Sequence, residues 1–242
     1  MRTTHKAALA ATGLLATLFV PTVQARATPT TTPGTAVTAS TPPDHPATLA
    51  RYYDQHPTWQ RCGPSSAHYP AGFRCATITV PLDYARPSGP TLRLKISRLR
   101  TAVPGKRHGV LLTNPGGPGS PGLSYPAGLK EQFPKSVTDR YDLVGFDPRG
   151  LGASTPLRCG LTEREVEWPR AYRAAAFAED TALARRFASK CTARQGARLP
   201  YLNTRNTARD MDVIRGVLGE RKISYVGWSY GTYLGAVGTG AG

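Results

Sequence analysis

The sequence predicts an α/β fold, a mostly parallel sheet carrying helices on its faces with an antiparallel hairpin at its N-terminal side. Three observations predict it. Residues 109–113 are a continuous apolar run of strand length, the pattern of a strand buried on both faces, and 141–146 read as another buried strand. A helical stripe then leads into a short strand at 223–226, and strand, helix, strand in this order implies a parallel pair joined by a right-handed crossover. Ahead of these, two strands at 75–80 and 91–99 flank the turn Pro87-Ser88-Gly89-Pro90 and make a hairpin.

The chain opens with the basic stretch Met1-Arg2-Thr3-Thr4-His5-Lys6, followed over 7–20 by apolar and small residues in a run too short to cross a bilayer comfortably. Val23-Gln24-Ala25 and Ala25-Arg26-Ala27 both offer the small residues that signal peptidase reads. Residues 1–25 are therefore expected to be a cleaved secretory signal, giving a secreted or cell-envelope protein without stable membrane insertion. Residues 26–46 are Thr, Pro and Ala with almost no large apolar side chain, too little buried surface to offset ordering, and are expected to be a disordered leader. The folded domain is expected over 47–242, and 40% hydrophobic residues suffice for a real core.

The formal charge is +16, or +14 without Arg2 and Lys6. Its arginines are scattered singly through every segment, with no basic run and no aromatic-interleaved patch. That distribution argues against nucleic acid as a partner and for a solvated surface with affinity for anionic envelope polymers. Cys62, Cys75, Cys159 and Cys191 are an even count in a chain read as exported, which points to two disulfides out of three possible connectivities. Neighbours in sequence suggest Cys62 with Cys75 and Cys159 with Cys191. No Cys-x-x-Cys and no suitably spaced His is present, so no metal is expected, and nothing implies a cofactor.

Residues 47–60 carry Leu49, Tyr52, Tyr53 and Trp59, a short helix and loop lying on the main body. His45, His56 and His68 fall in Pro-rich loop sequence, where a solvated histidine is the expectation. Thr alternates with apolar residues over 75–80, and Leu92, Leu94, Ile96 and Leu99 alternate with basic residues in the next strand. The apolar run at 109–113 enters Asn114-Pro115-Gly116-Gly117-Pro118-Gly119-Ser120-Pro121-Gly122, a loop whose main offering is backbone N–H. Pro115 and Pro118 have none, leaving Gly116 or Gly117 as a donor. After 141–146, the stretch Asp147-Pro148-Arg149-Gly150 reads as a structural turn in which Asp147 and Arg149 pair.

Residues 155–200 form an insertion rich in Arg and Ala, with Leu183, Phe187 and Cys191 on one helical face that looks towards something apolar. Next, Thr207 with Asp210 three residues on is a capping-box-like start. Ala208, Met211, Ile214 and Leu218 make the buried stripe, and Gly219 is the stop. That helix leads to Gly227-Trp228-Ser229-Tyr230-Gly231, a G-x-S-x-G pattern between a strand and a helix start. A Ser held at so sharp a turn needs strained backbone angles, and residues two before and two after it must lack a side chain. Gly227 and Gly231 meet that requirement. The amide of the residue after such a nucleophile, here Tyr230, forms an oxyanion hole with a donor from the Gly-rich loop.

By its motifs the chain resembles the α/β-hydrolase fold and, within it, secreted peptidases similar to proline iminopeptidase and tripeptidyl aminopeptidase. The resemblance rests on Val80-Pro81-Leu82-Asp83-Tyr84, the loop from Asn114 to Gly119, the stretch from Gly145 to Gly152, and the elbow through Thr232. It implies an exported serine hydrolase that releases N-terminal peptides through an acyl-enzyme, with Ser229 as nucleophile, Gly117 and Tyr230 forming the oxyanion hole, and a peptide as substrate. Where relatives commonly carry a His before the two glycines, this chain has Pro115.

The fold orders its triad as Ser, then Asp or Glu, then His. Only 13 residues follow Ser229, and all five His precede it. The expectation is thus the N-terminal half of a hydrolase, truncated after the elbow and inactive as it stands because the triad Asp and His are missing. Two alternatives keep the same residues: an esterase or lipase on this fold, and a non-catalytic cell-envelope binding protein that retains the elbow as scaffold.

Overall fold

The computed structural model describes residues 46–63, 69–166 and 173–239, all within one compact unit, Pro42–Gly242. The expected signal at 1–25, His5, His45, His68 and nearly all of the expected leader lie outside the described residues. Among the described residues one sheet has strands β1 (Gln60–Arg61), β2 (Arg74–Pro81), β3 (Thr91–Leu99), β4 (Gly109–Asn114), β5 (Tyr141–Phe146) and β6 (Ser224–Gly227), in the order β1-β2-β3-β5-β4-β6. The helices are α1 (Ala50–Tyr53), α2 (Tyr125–Gln132), α3 (Lys135–Thr138), α4 (Glu163–Val166), α5 (Phe177–Gln195), α6 (Thr204–Val217) and α7 (Tyr230–Thr239).

The sheet is mixed. β2 and β3 form the expected hairpin, in register from Pro81 opposite Thr91 to Arg74 opposite Arg98, and β3 joins β5 antiparallel. β4 pairs in parallel with both β5 and β6. β4 is buried along its whole length, and β5 along all but Tyr141, because both faces are covered. On one face Ile78, Leu94, Ile96, Leu112 and Phe146 pack with Met211 and Ile214 of α6 and Leu234 of α7. On the other, Cys75, Leu99, Leu111 and Leu143 meet Ala127 of α2 and Val137 of α3. Each fully buried large aliphatic side chain contributes about 1.5–3 kcal/mol.

α6 starts earlier than its sequence suggested. Asn203 is the N-cap, its side chain accepting the Asn206 N–H at 2.9 Å. Thr207 lies a turn inside, donating its hydroxyl to the Asn203 carbonyl at 3.0 Å. Asn matches or exceeds Thr as a cap, and its position puts Asp210 in the interior face of the helix. The stop is as read: Gly219 has φ 72°, its N–H meets the Gly216 carbonyl and the Glu220 N–H meets that of Arg215, a paired closure that only a left-handed residue permits.

Both disulfides join the neighbours that the sequence suggested, Cys62 with Cys75 and Cys159 with Cys191. The first fastens β1 to β2; the second ties the start of the insertion to α5. By the loop-entropy account the pair stabilise the chain by about 3 and 4 kcal/mol. The stripe of Leu183, Phe187 and Cys191 does face an apolar cleft, which Leu161 and Val166 also line.

Candidate active site

The parallel strands end together. Asn114 at the end of β4 lies opposite Gly227 at the end of β6, and there the backbone turns into α7. The Trp228 N–H donates to the Asn114 carbonyl at 3.0 Å, the Gly231 N–H to the Trp228 carbonyl at 2.7 Å, and the Thr232 N–H to the Ser229 carbonyl at 2.9 Å. Ser229 is thereby held at φ 51°, a left-handed angle that costs a non-glycine residue about 1–3 kcal/mol, with its side chain exposed at the carboxyl edge of the sheet. Ligands of open α/β sheets collect at that edge.

The flanking glycines are required by contact. A Cβ on Gly227 would strike the Gly231 backbone, and one on Gly231 would stand 2.9 Å from the Asn114 carbonyl oxygen. Gly116 has φ 95°, and its Cβ would run into the Trp228 carbonyl and lie 3.0 Å from Ser229 Cβ, so the Gly-rich loop is pressed against the elbow. The Gly116 N–H is consumed by Asn114 Oδ1 at 2.9 Å. Among the described residues no acceptor takes the Gly117 N–H or the Tyr230 N–H. Of the two loop donors left open by the prolines, Gly117 is therefore the one that keeps its hydrogen.

Sequence reasoning missed two residues that hold this arrangement. Asn114, 1% exposed, uses its carbonyl on the elbow and its side chain on the loop; a polar residue closing a buried apolar strand was the available signal. Thr204, on the first turn of α6, hydrogen-bonds the Tyr230 hydroxyl at 2.6 Å. Only the tertiary fold brings those two together.

Asp147 and Arg149 do not pair, contrary to the sequence expectation. Asp147 turns inward and accepts backbone N–H groups from Gly122 at 3.0 Å, Leu123 at 2.9 Å and Ala153 at 2.8 Å. Arg149 instead forks onto Asp210 of α6 at 2.6 and 2.8 Å and donates to the carbonyls of Pro81, Leu82 and Tyr201. Tyr84 donates its hydroxyl to Asp210 at 2.8 Å. Burial pushes the Asp210 carboxyl up against the pull of Arg149, and it pushes the Tyr84 hydroxyl far up, with Asp210 adding to the effect. Burial alone would lower Arg149; the Asp210 carboxylate more than offsets it. The result is a buried, charge-balanced clamp that ties the turn after β5 to α6 and to the end of β2.

Neither described histidine reaches Ser229. His108 precedes Gly109 at the opposite end of β4 and meets Tyr141 edge-on, which places it about 20 Å from the elbow at strand rise. His56 follows Gln55, which binds Thr79 of β2, four strands or about 20 Å from β6. Among the described residues no group of His, Cys, Asp or Glu is arranged for a metal ion.

Residues 109–237 match the family model for the alpha/beta hydrolase fold. This chain belongs to the alpha/beta-hydrolase family. It is 44% identical over 186 residues to tripeptidyl aminopeptidase of Streptomyces lividans, covering 74% of this chain and 34% of the relative. Over 186 residues it is 36% identical to serine protease Hip1 of Mycobacterium tuberculosis, covering 74% of this chain and 35% of that protein. Over 150 residues it is 39% identical to carboxylesterase B of the same species, with 59% and 28% covered. This hydrolase-family chain therefore spans about a third of the length of the curated relatives it matches.

Proposed function

We propose that this chain carries the nucleophile-bearing part of an exported serine aminopeptidase that releases short peptides from the N-termini of its substrates. The observation that carries the reading is the strained turn of Ser229 with the Gly-rich loop pressed against it at Gly116, and the unpaired N–H groups of Gly117 and Tyr230, which follow Gly116 and Ser229 in the chain, support it. In this mechanism Ser229 Oγ attacks the scissile carbonyl and its proton passes to a base. The carbonyl oxygen gathers negative charge between the two N–H donors, the amine departs with the proton, and water releases the acyl group. The names of the Streptomyces and Hip1 relatives support a peptide substrate. The two disulfides support an oxidising compartment, and no described helix is long and apolar enough to cross a membrane.

The base and its carboxylate partner lie outside the described residues in this reading. Without them Ser229 keeps an ordinary hydroxyl and retains only the small acceleration of the oxyanion donors. Turnover by this chain alone is therefore expected to be slow.

A second reading, an esterase, is favoured by the carboxylesterase B relative, since one acyl-transfer site serves both leaving groups. Initial rates on tripeptide anilides with free and blocked amino termini, beside short-chain phenyl esters, separate the two. Faster release from free-amino peptides supports the aminopeptidase; ester cleavage with no anilide cleavage supports the esterase and sinks the first reading.

A further inference from the structure

We propose that the amino edge of the parallel strands, remote from Ser229, is a docking surface for a linear phosphodiester polymer of the cell envelope. The proposal rests on the chain being exported and not on the chemistry at Ser229. In sequence the cations concerned are scattered between 100 and 222, and the sheet gathers them. Arg100 follows β3, whose last residue Leu99 lies opposite Leu143 of β5. Arg140 precedes β5, and its carbonyl accepts the His108 N–H at 2.7 Å. Lys106 stands in the loop that leads into β4. Arg221 and Lys222 precede β6, whose Ser224 is opposite Leu111, so Lys222 comes level with Gly109 at the start of β4. β3, β5, β4 and β6 are neighbours in that order, so the row crosses three strand spacings, about 14 Å.

Arg100, Lys106, Arg140, Arg221 and Lys222 are all exposed, and among the described residues none of them pairs with a carboxylate. The carboxylates bonded into this edge are already spent. Asp142 holds Arg98 at 2.5 Å and Arg107 at 2.8 Å, Glu220 holds Arg107, and Asp139 holds Lys135 at 3.2 Å. Five unpaired like charges in one row attract and concentrate a polyanion. The exposed large apolar side chains among the described residues are Val166, Phe177, Trp228 and Tyr233, none of them at this edge, so the row has nothing to bury in a bilayer. Export separates the chain from nucleic acid, which leaves the anionic polymers of the envelope. β4 begins at this edge and ends at the elbow about 20 Å away, so a polymer docked here leaves Ser229 uncovered.

The test is a titration of the chain with soluble poly(glycerol phosphate) over a range of salt concentrations. The triple variant Lys106→Gln, Arg140→Gln, Lys222→Gln removes three exposed charges from the row. Arg185→Gln, Arg186→Gln, Arg205→Gln removes the same charge from exposed positions on α5 and α6. The edge variant is expected to bind at least about tenfold more weakly, with a slope of log affinity against log salt shallower by about two, since each lost phosphate contact releases about one counterion fewer. The α5 and α6 variant is expected to stay within about twofold of the unaltered chain. Equal losses in both variants would assign the binding to net charge and overturn the surface, as would no binding by the unaltered chain at low salt. Tighter binding of phosphatidylglycerol vesicles at equal phosphate concentration would overturn the polymer as partner. Amine acylation of the unaltered chain decides the location even if the variants unfold: the polymer should protect Lys106 and Lys222 but not Lys95, which lies past Phe146 at the other edge. Equal protection of all three lysines would overturn it.

Discussion

Replacing Arg149 with Met keeps much of the apolar stem and removes all of the Arg149 donors from the buried clamp on Asp210. The side chains of Arg149 and Asp210 are 1% and 0% exposed, so water cannot take over the lost bonds. Asp210 would keep only the Tyr84 hydroxyl at 2.8 Å, the carbonyls of Pro81 and Leu82 would lose their Arg149 donors, and that of Tyr201 would keep only the Asn206 side-chain N–H at 3.1 Å. Breaking one side of a buried pair costs about 3–5 kcal/mol, a large share of the roughly 5–15 kcal/mol that holds a domain folded. For a chain of this size that corresponds to a fall in Tm on the order of 10 °C. Urea unfolding followed by tryptophan fluorescence and circular dichroism measures it. The double variant Arg149→Met with Asp210→Leu removes both charges and is expected to be more stable than Arg149→Met alone. A single variant within about 1 kcal/mol of the unaltered chain, or a double variant whose losses simply add, would refute the clamp.

Two further outcomes are expected. Asp142 accepts from Arg98 at 2.5 Å, Arg107 at 2.8 Å and the Thr101 N–H at 2.8 Å; burial pushes its carboxyl up, and these partners outweigh burial and hold it below the ordinary range. A depressed native pKa contributes stability that is complete above the unfolded value of about 3.9 and is lost as pH falls through the native one. Urea midpoints from acid to neutral pH should therefore fall less steeply below about pH 4 in Asp142→Asn, and an acid limb as steep as before would contradict the assignment. Gly116→Ala places a Cβ against the Trp228 carbonyl at φ 95°, so the loop must move off the elbow. The expected loss is about 10²-fold in the rate of covalent labelling at Ser229, the scale of one displaced oxyanion donor, and an unchanged rate would show that the loop takes no part.

The elbow, the strands and the disulfide partners were legible in the sequence because each is a local pattern. Gly227 and Gly231 stand at fixed offsets from Ser229, the apolar run of β4 and the largely apolar β5 need no distant partner to be recognised, and each cysteine pair is made of neighbours in sequence. The cap of α6 was misplaced because Thr207 with Asp210 imitates a helix start, while Asp210 belongs to Arg149, 61 residues away. The same long-range pairing explains why Asp147 and Arg149, two residues apart, part company: each finds a better-matched partner across the fold. Asn114 and Thr204 escaped notice because their work lies in holding Gly116 and Tyr230, contacts that no spacing rule announces.

The central claim of the proposal is that Ser229 is the reacting group, with the Gly117 and Tyr230 N–H groups as its oxyanion donors. Treatment of the folded chain with a fluorophosphonate, followed by digestion and mass mapping, tests it most directly. A single slow adduct on Ser229, absent from Ser229→Ala, is the predicted result. An adduct on any other residue, or labelling that survives Ser229→Ala, would contradict it.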